Sequence, residues 1–172
     1  YVDSGVPFIR SQNVHFEGLK LIEVSFIDFE THYSMKGSVV RKEDVLLNIT
    51  GGSIGRCCVV DVEEEMNVNQ HVSIIRTKSQ LLNRFLNFLI SCDVGQSQVR
   101  FNLTGGNREG LTIDGIRDFQ ITLPPFYEQE QIVEYLDRKT TLIDSLIEKT
   151  VRKIELLKEK RTSLINEVLT KG

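Results

Sequence analysis

The C-terminal third of the chain is one long amphipathic repeat, and it constrains the fold more than any other feature. No Gly or Pro occurs in residues 128–169, which closely follow the pair Pro124-Pro125. Proline is tolerated at a helix start and disfavours helix in the residue before it. The pair therefore predicts a helix that begins there and extends for about 60 Å. Its apolar residues recur in alternating steps of three and four, and they are Leu136, Ile143, Ile147, Ile154, Leu157, Leu164 and Val168.

These apolar residues form a seam along one side of the predicted helix, and this seam has to be buried against another helix. Residues 1–123 contain no second long helical repeat that would receive it. A seven-residue apolar period is typical of one strand of a coiled coil, and polar seam residues such as Thr140, Thr150 and Arg161 help to fix its register. We therefore expect a partner helix from outside the chain. A helix that folds back on the N-terminal part is the alternative.

Residues 1–123 show a different period. Residues 83–101 have helical spacing and predict a helix packed on a sheet, and the alternation in residues 119–123 predicts a last strand. We expect an α+β fold, in which a recognition domain at 1–123 has a curved sheet or partial barrel and a long coiled-coil helix occupies 124–172. Short runs rich in Val, Ile and Phe, bounded by turn residues, predict the other strands at 6–10, 19–29, 44–50, 57–62 and 72–77.

Charge alone does not point to a nucleic-acid partner. The net charge is -3, and residues 1–123 carry 12 Lys and Arg against 15 Asp and Glu. Phosphate contacts require cations. If DNA is the partner, the cations must cluster on one face or another subunit must supply them.

Several other classes of function are disfavoured. No apolar run reaches the roughly 20 residues that span a bilayer, so we expect a cytoplasmic protein without a membrane partner. Cys57, Cys58 and Cys92 lack metal-site spacing and predict reduced thiols. His15 and His32 are expected at the surface. No nucleotide, metal or nuclease pattern is present in the sequence, so we expect no cofactor and no catalytic activity.

Motifs along nearly the whole chain resemble those of the specificity subunits of type I restriction-modification systems. The run PPFYEQEQIVEYLD at 124–137 and the run LLKEKR at 156–161 are similar to the conserved region around that family's long helix. Four further segments are similar to other motifs of the family in the same order: GVPFIRSQNV at 5–14, DVLLNITGGSIG at 44–55, NQH at 69–71 and GQ at 95–96.

The resemblance implies a non-catalytic subunit that reads double-stranded DNA. Such subunits usually carry two recognition domains, each followed by a helix, and the two helices pair antiparallel. They read a bipartite target and recruit adenine methyltransferase subunits, which a nuclease-translocase subunit can join. One domain and one helix match half of such a subunit, so a second copy or a second half is the expected helix partner. The alternative is a coiled-coil oligomerisation protein whose head binds a ligand other than DNA.

Polar loops next to strand ends are the candidates for DNA contact. Arg and Lys reach guanine or phosphate, Asn and Gln reach adenine, and glycines let backbone amides approach phosphates. For each loop the alternative is a solvated turn or a structural hydrogen bond, and residues 69–71 favour that alternative. The candidates are Arg10, Gln12, Asn13, Lys36, Thr50, Gly51, Ser53, Arg56, Gln70, Asn107 and Arg108.

Overall fold

A computed structural model describes residues 1–104 and 110–171, and the chain divides into two units, of which the first is Tyr1–Glu130 and the second begins at Gln131. The helices are α1 Phe29–Ser34, α2 Asn83–Ser91, α3 Asp93–Phe101, α4 Ile113–Arg117 and α5 Phe126–Lys171. The strands are β1 Val6–Ile9, β2 Val14–His15, β3 Gly18–Leu19, β4 Ser25–Ile27, β5 Val39–Val40, β6 Val45–Asn48, β7 Cys57–Val59, β8 Met66–Val68, β9 Val72–Ile75, β10 Leu103–Thr104 and β11 Gly110–Leu111.

The strands of the first unit form two main sheets and two short ribbons. One sheet has the order β4-β1-β8-β5 and the other the order β7-β6-β9. Strands β1 and β8 run parallel, and the other described pairs are antiparallel. The predicted α+β fold is confirmed, and its sheets are open.

Strand β6 lies at the centre of the core because both of its faces are buried. Leu46 packs in a cluster with Ile9 and Met66 of the four-stranded sheet. Leu47 lies in a second cluster with Ile90 of α2 and Val99 of α3. Burial of one such side chain stabilises a fold by about 1.5–3 kcal/mol. The first unit is therefore built in three layers, with one sheet on each side of the first cluster and the helices beyond β6.

The single helix predicted at 83–101 is wrong, because the chain breaks at Cys92 into α2 and α3. A side chain at Gly95 would place its Cβ 2.1 Å from the carbonyl oxygen of Leu89, so α3 packs against the end of α2 at a distance that only glycine allows. The Gln96 amide donates to the carbonyl oxygen of Ile90 at 2.8 Å and satisfies one of the last carbonyls of α2.

The strand predicted at 119–123 is also wrong, since these residues have no regular structure. A side chain takes the backbone groups that a strand would have used. Gln98 Nε2 donates to the carbonyl oxygen of Gln120 at 3.0 Å, and the Gln120 N–H donates to Gln98 Oε1 at 2.6 Å. His32, expected at the surface, is buried, and its Nδ1 lies 2.5 Å from Asn67 Oδ1.

The predicted long helix is confirmed as α5, which has 46 residues. Its first turn is fixed within the first unit by Gln129, a fully buried side chain. Gln129 Oε1 accepts from the Leu82 N–H at 2.8 Å, and Gln129 Nε2 donates to the carbonyl oxygens of Gln80 and Pro124 at 2.9 Å. Among the described residues, no helix is long and apolar enough to cross a membrane.

Candidate nucleic-acid interface

The loops that follow three core strands emerge at one edge of the first unit. Strands β1 and β8 are parallel, so their carboxyl ends meet, and the Asn69 N–H donates to the carbonyl oxygen of Ile9 at 3.0 Å. Strand β6 is antiparallel to β9, and its last residue, Asn48, lies opposite Val72. We call residues 10–13, 49–56 and 69–71 the loop edge.

Asn48 connects two segments of the loop edge. Its side chain is fully buried. Its Nδ2 donates to the carbonyl oxygen of Ser11 at 2.8 Å and to the Ser53 hydroxyl at 3.0 Å. The segment after β1 and the loop after β6 are therefore joined by one amide.

The loop after β6 leaves backbone groups open to a ligand. Gly51 has a φ of 79°, a left-handed conformation that disfavours other residues. Gly51 and Gly52 are exposed, and a Cβ on either would meet nothing within 4 Å. Gly55 has a φ of 87° and lies against Gln96 of α3, so the far end of the same loop is held by the helix layer. An anion such as a phosphate can thus approach the backbone at Gly51 and Gly52.

A relay of hydrogen bonds connects three polar side chains of the loop edge. Gln70 Nε2 lies 3.3 Å from His71 Nε2, and His71 Nδ1 lies 2.6 Å from Thr50 Oγ1. In the orientation that the structure gives it, the Gln70 amide donates to Nε2 of a neutral His71. The Nδ1–H of His71 then donates to Thr50 Oγ1. By this assignment the Thr50 hydroxyl hydrogen has no acceptor among the described residues.

The segment after β1 carries Arg10, Gln12 and Asn13. Asn13 is buried, its Oδ1 accepts from the Arg10 N–H at 3.0 Å, and its Nδ2 donates to the carbonyl oxygen of Lys20 at 2.9 Å. Asn13 therefore stabilises the turn rather than presenting its amide to DNA. Gln12 is exposed and Arg10 is half-buried, so these two side chains remain available at the surface.

Two arginines of the first unit belong to the loop edge, and two other cations of this unit are held in ion pairs elsewhere. Arg10 and Arg56, both half-buried, belong to the loop edge. Lys42 pairs with Glu63, whose hydrogen bond raises the pKa of that lysine. Two hydrogen bonds join Arg76 to Asp44 at 2.8 and 2.9 Å, and they raise the pKa of the arginine. These two pairs neutralise cations away from the loop edge.

Three predicted contacts are not part of the loop edge as defined. Lys36 lies in the 3-10 turn Lys36–Ser38, which Asn67 holds through a hydrogen bond to the Ser38 hydroxyl at 3.0 Å. Asn107 and Arg108 lie outside the described residues. Gly110, where β11 begins, pairs with Thr50 across an antiparallel bridge.

The sequence did not single out Asn48, which the structure places between two segments of the loop edge. The signal was an amide at the end of the apolar run Val45–Asn48, where a fully buried polar side chain is uncommon. For residues 69–71 the sequence favours a structural role over DNA contact, and the contact of His71 with Thr50 joins residues 21 positions apart. Among residues 1–104 and 110–171, no group of three His, Cys, Asp or Glu side chains could hold a metal ion.

The first unit and α5 together define a class of protein in which an α+β domain continues into one long helix. A chain from a structure described as the basis of complex assembly and conformational transition of the type I R-M system has this fold, with a TM-score of 0.75 at 18% identity over 95% of this chain and 38% of that one. The crystal structure of the HsdS subunit from Thermoanaerobacter tengcongensis is similar, with a TM-score of 0.66 at 17% identity over 95% of this chain and 41% of that one.

The chain belongs to the family of the type I restriction modification DNA specificity domain, whose sequence model matches residues 3–156. The EcoBI specificity subunit of Escherichia coli is 28% identical over 87% of this chain and 31% of its own length. A putative type I restriction enzyme specificity subunit of Haemophilus influenzae is 30% identical over 80% of this chain and 34% of its own length. The chain thus spans about a third of these relatives.

Proposed function

We propose that this chain reads one half of a bipartite DNA target for a type I restriction-modification system, and that the loop edge is the reading surface. The observation that carries the proposal is the convergence of the segments after β1, β6 and β8 at one edge. They bring five candidate side chains and a glycine turn together, in a chain that belongs to the family of the DNA specificity domain. These residues are Arg10, Gln12, Thr50, Gly51, Arg56 and Gln70.

The chemistry of the loop edge suits a DNA duplex. The exposed amides of Gln12 and Gln70 can form the paired hydrogen bonds that identify adenine in the major groove. Arg10 and Arg56 supply charge for phosphate or guanine, and the backbone at Gly51 supplies N–H groups for phosphate. Lys36, Asn107 and Arg108 stay candidates for additional contacts from their sequence alone.

Catalysis in this proposal belongs to other subunits. The chain binds double-stranded DNA and scaffolds adenine methyltransferase subunits, with a nuclease-translocase subunit as a further partner. The motif Leu123-Pro-Pro-Phe126 supports this division of labour. An adenine methyltransferase motif of this form carries a side chain that hydrogen-bonds the target amino group, and Leu123 has no polar atom to do so.

We propose further that α5 pairs antiparallel with a second copy or a second half-subunit. Seam residues such as Ile147, Ile154 and Leu157 are about half exposed in the single chain. In an antiparallel pair centred near residue 152, Asp144 would lie beside Lys158 of the partner copy and Lys139 beside Glu167, each pair opposite in charge.

A parallel pair in register fits the same charges less well. It would place Lys153 of one copy beside Lys158 of the other on both sides of the seam, where like charges repel. The parallel pair would also place Lys139 beside Asp144, and the antiparallel pair would place the two copies of Lys153 beside each other. Counted over both sides of the seam, the antiparallel pair has four attractive contacts and one repulsive contact, against two of each in the parallel pair, so these charges favour the antiparallel arrangement.

A binding experiment with the assembled protein tests the reading function. The chain would be combined with its methyltransferase subunit and offered a library of DNA duplexes over a range of salt concentrations. We expect retention that depends on sequence and that weakens as salt rises. Equal retention of all sequences, or none, would contradict the proposal and favour an oligomerisation protein with another ligand.

A further inference from the structure

Within the proposed reading function, on which this inference rests, we infer that Asn48 is a positioning residue that sets the sequence preference. It does not reach DNA itself, since its side chain is fully buried. It acts by fixing the segment that carries Arg10 and Gln12 relative to the loop that carries Thr50 and Arg56.

Four hydrogen bonds support this role. The Asn48 side chain donates to the carbonyl oxygen of Ser11 and to the Ser53 hydroxyl at 2.8 and 3.0 Å. Its backbone N–H donates to the carbonyl oxygen of Arg56 at 2.8 Å, and its carbonyl oxygen accepts from the Gly55 N–H at 2.9 Å. Both ends of the glycine loop and the segment after β1 thus meet at one residue.

Side chains that read base edges must be held in fixed positions relative to one another. A binding constellation works when its members are held within about 0.5 Å of the productive geometry. Side chains on separate loops meet that demand only if the loops are tied together, because each loop moves independently otherwise. The Asn48 amide bridges directly between two of the three loops at the edge.

The Asn48 side chain lowers the stability of the fold through its buried oxygen, which is consistent with a functional rather than a purely stabilising role. Asn48 Oδ1 is buried and has no hydrogen-bond partner among the described residues. An unsatisfied buried acceptor destabilises a fold, and an aliphatic residue would continue the apolar run of β6 without that cost. The two donors of the amide are what an aliphatic residue would lack.

Asn67 provides a matched control in the same core. It too is fully buried, and its Nδ2 donates to the carbonyl oxygen of Met35 at 3.1 Å and to the Ser38 hydroxyl at 3.0 Å. The segment that it holds carries Lys36, whose proposed contact is with phosphate and would affect all sequences alike. Loss of the Asn67 donors should therefore destabilise the fold without changing which sequence is read.

The test compares Asn48→Asp, Asn48→Ser and Asn67→Asp with the unaltered chain, each assembled with the methyltransferase subunit. The target is the sequence that the unaltered chain selects from a duplex library. For both Asn48 variants we expect the ratio of target to non-target affinity to fall about tenfold, the size of one lost base contact, while non-target affinity changes less than about threefold. Asn67→Asp should lower the melting temperature and leave the ratio unchanged.

Three outcomes would overturn the inference. The first is a folded Asn48 variant whose ratio stays within about twofold of the unaltered chain, and the second is an equal fall of the ratio in Asn67→Asp. The third is failure of both Asn48 variants to fold while Asn67→Asp folds, since Asn48 would then serve only the fold. If the unaltered chain itself shows no sequence preference, the proposed function fails before any variant is compared.

Discussion

The Thr50 hydroxyl lies 2.6 Å from His71 Nδ1, and this contact ties the loop after β6 to the turn before β9. Because Gln70 lies against the other ring nitrogen of His71, the pair also orients an exposed amide that we propose reads adenine. The contact brings together two segments that are 21 residues apart in the chain. A hydroxyl at position 50 thus has a structural partner in His71 and, among the described residues, no acceptor for its own hydrogen.

We predict that Thr50→Val weakens retention of the selected target about tenfold, because valine keeps the shape of threonine and removes the hydroxyl. Thr50→Ser keeps the hydroxyl and should retain most of the affinity. Competition binding of both variants with target and non-target duplexes measures the effect, and melting curves confirm that both are folded. Equal affinities for the two variants would show that the hydroxyl has no part in reading.

We predict that Arg10→Ala and Arg56→Ala lower the salt dependence of DNA retention. Each phosphate contact that is lost should reduce the slope of log affinity against log salt by about 0.9. Lys42→Ala is the control, since Lys42 is already paired with Glu63 away from the loop edge. The measurement is a titration at several salt concentrations. A slope that is the same for all four proteins would exclude phosphate contacts at these arginines.

The coarse organisation could be predicted from the sequence because it depends on local periodicity. The repeat in 128–169 and the apolar runs around β6 report the environment of each segment directly. The break at Cys92 could not be predicted in this way, since it depends on the close approach of Gly95 to the end of α2. Residues 119–123 alternate like a strand, but Gln98 takes the backbone groups of Gln120.

The candidate site was predictable by segment and not by side chain. Glycine and polar residues beside strand ends predicted loops that the structure brings to one edge, since turn chemistry is local. In the sequence, nothing distinguishes Asn13 and Asn48 from an exposed asparagine. Only the fold shows that both are buried and hydrogen-bonded to other segments. The parallel pairing of β1 with β8, which brings the loops together, is a long-range contact that no local pattern contains.

We predict that Ile154→Asp abolishes pairing of α5 and leaves the first unit folded, because a carboxylate buried in an apolar seam costs several kcal/mol. Asn166→Asp places the same charge on the opposite side of the helix by its spacing and should pair normally. Size-exclusion chromatography with light scattering measures the oligomer, and circular dichroism follows the fold. If Ile154→Asp elutes like the unaltered chain, the seam does not mediate association.

We predict that a mixture of an Ile147→Cys chain and a Leu157→Cys chain forms disulfide-linked heterodimers, because an antiparallel pair centred near residue 152 places these positions opposite each other. Both chains would carry Cys92→Ser, since Cys92 is the exposed native thiol among the described residues. A parallel pair would instead cross-link Ile147→Cys chains with each other. Non-reducing electrophoresis of each chain alone and of the mixture decides the direction of pairing, because an antiparallel pair gives the linked dimer only in the mixture and a parallel pair gives it with either chain alone.

We predict that one thiol of the folded chain reacts quickly with Ellman's reagent near neutral pH and that the other two react only after unfolding. Cys92 is exposed, whereas Cys57 and Cys58 are buried. Burial raises the pKa of the Cys57 thiol to about 11 and that of Cys58 to about 12, above the ordinary value of 9.0, so both stay protonated and unreactive. Fast reaction of all three thiols would contradict the buried placement of β7.

The same two thiols should make the fold sensitive to alkali. Between pH 9 and 11 the unfolded chain releases their protons and the folded chain does not, so ionisation favours unfolding and stability falls as pH rises. In that range each thiol lowers the free energy of unfolding by about 1.4 kcal/mol for each pH unit of increase. Below pH 9 the full stabilisation from each thiol is present. The test uses denaturant melts of the unaltered chain and of the double variant Cys57→Ala, Cys58→Ala at pH 8 and pH 10. The comparison separates the effect of thiol ionisation from that of lysine and tyrosine ionisation, which both proteins share. An equal loss of stability in both proteins would show that these thiols are not buried as the core of the first unit places them.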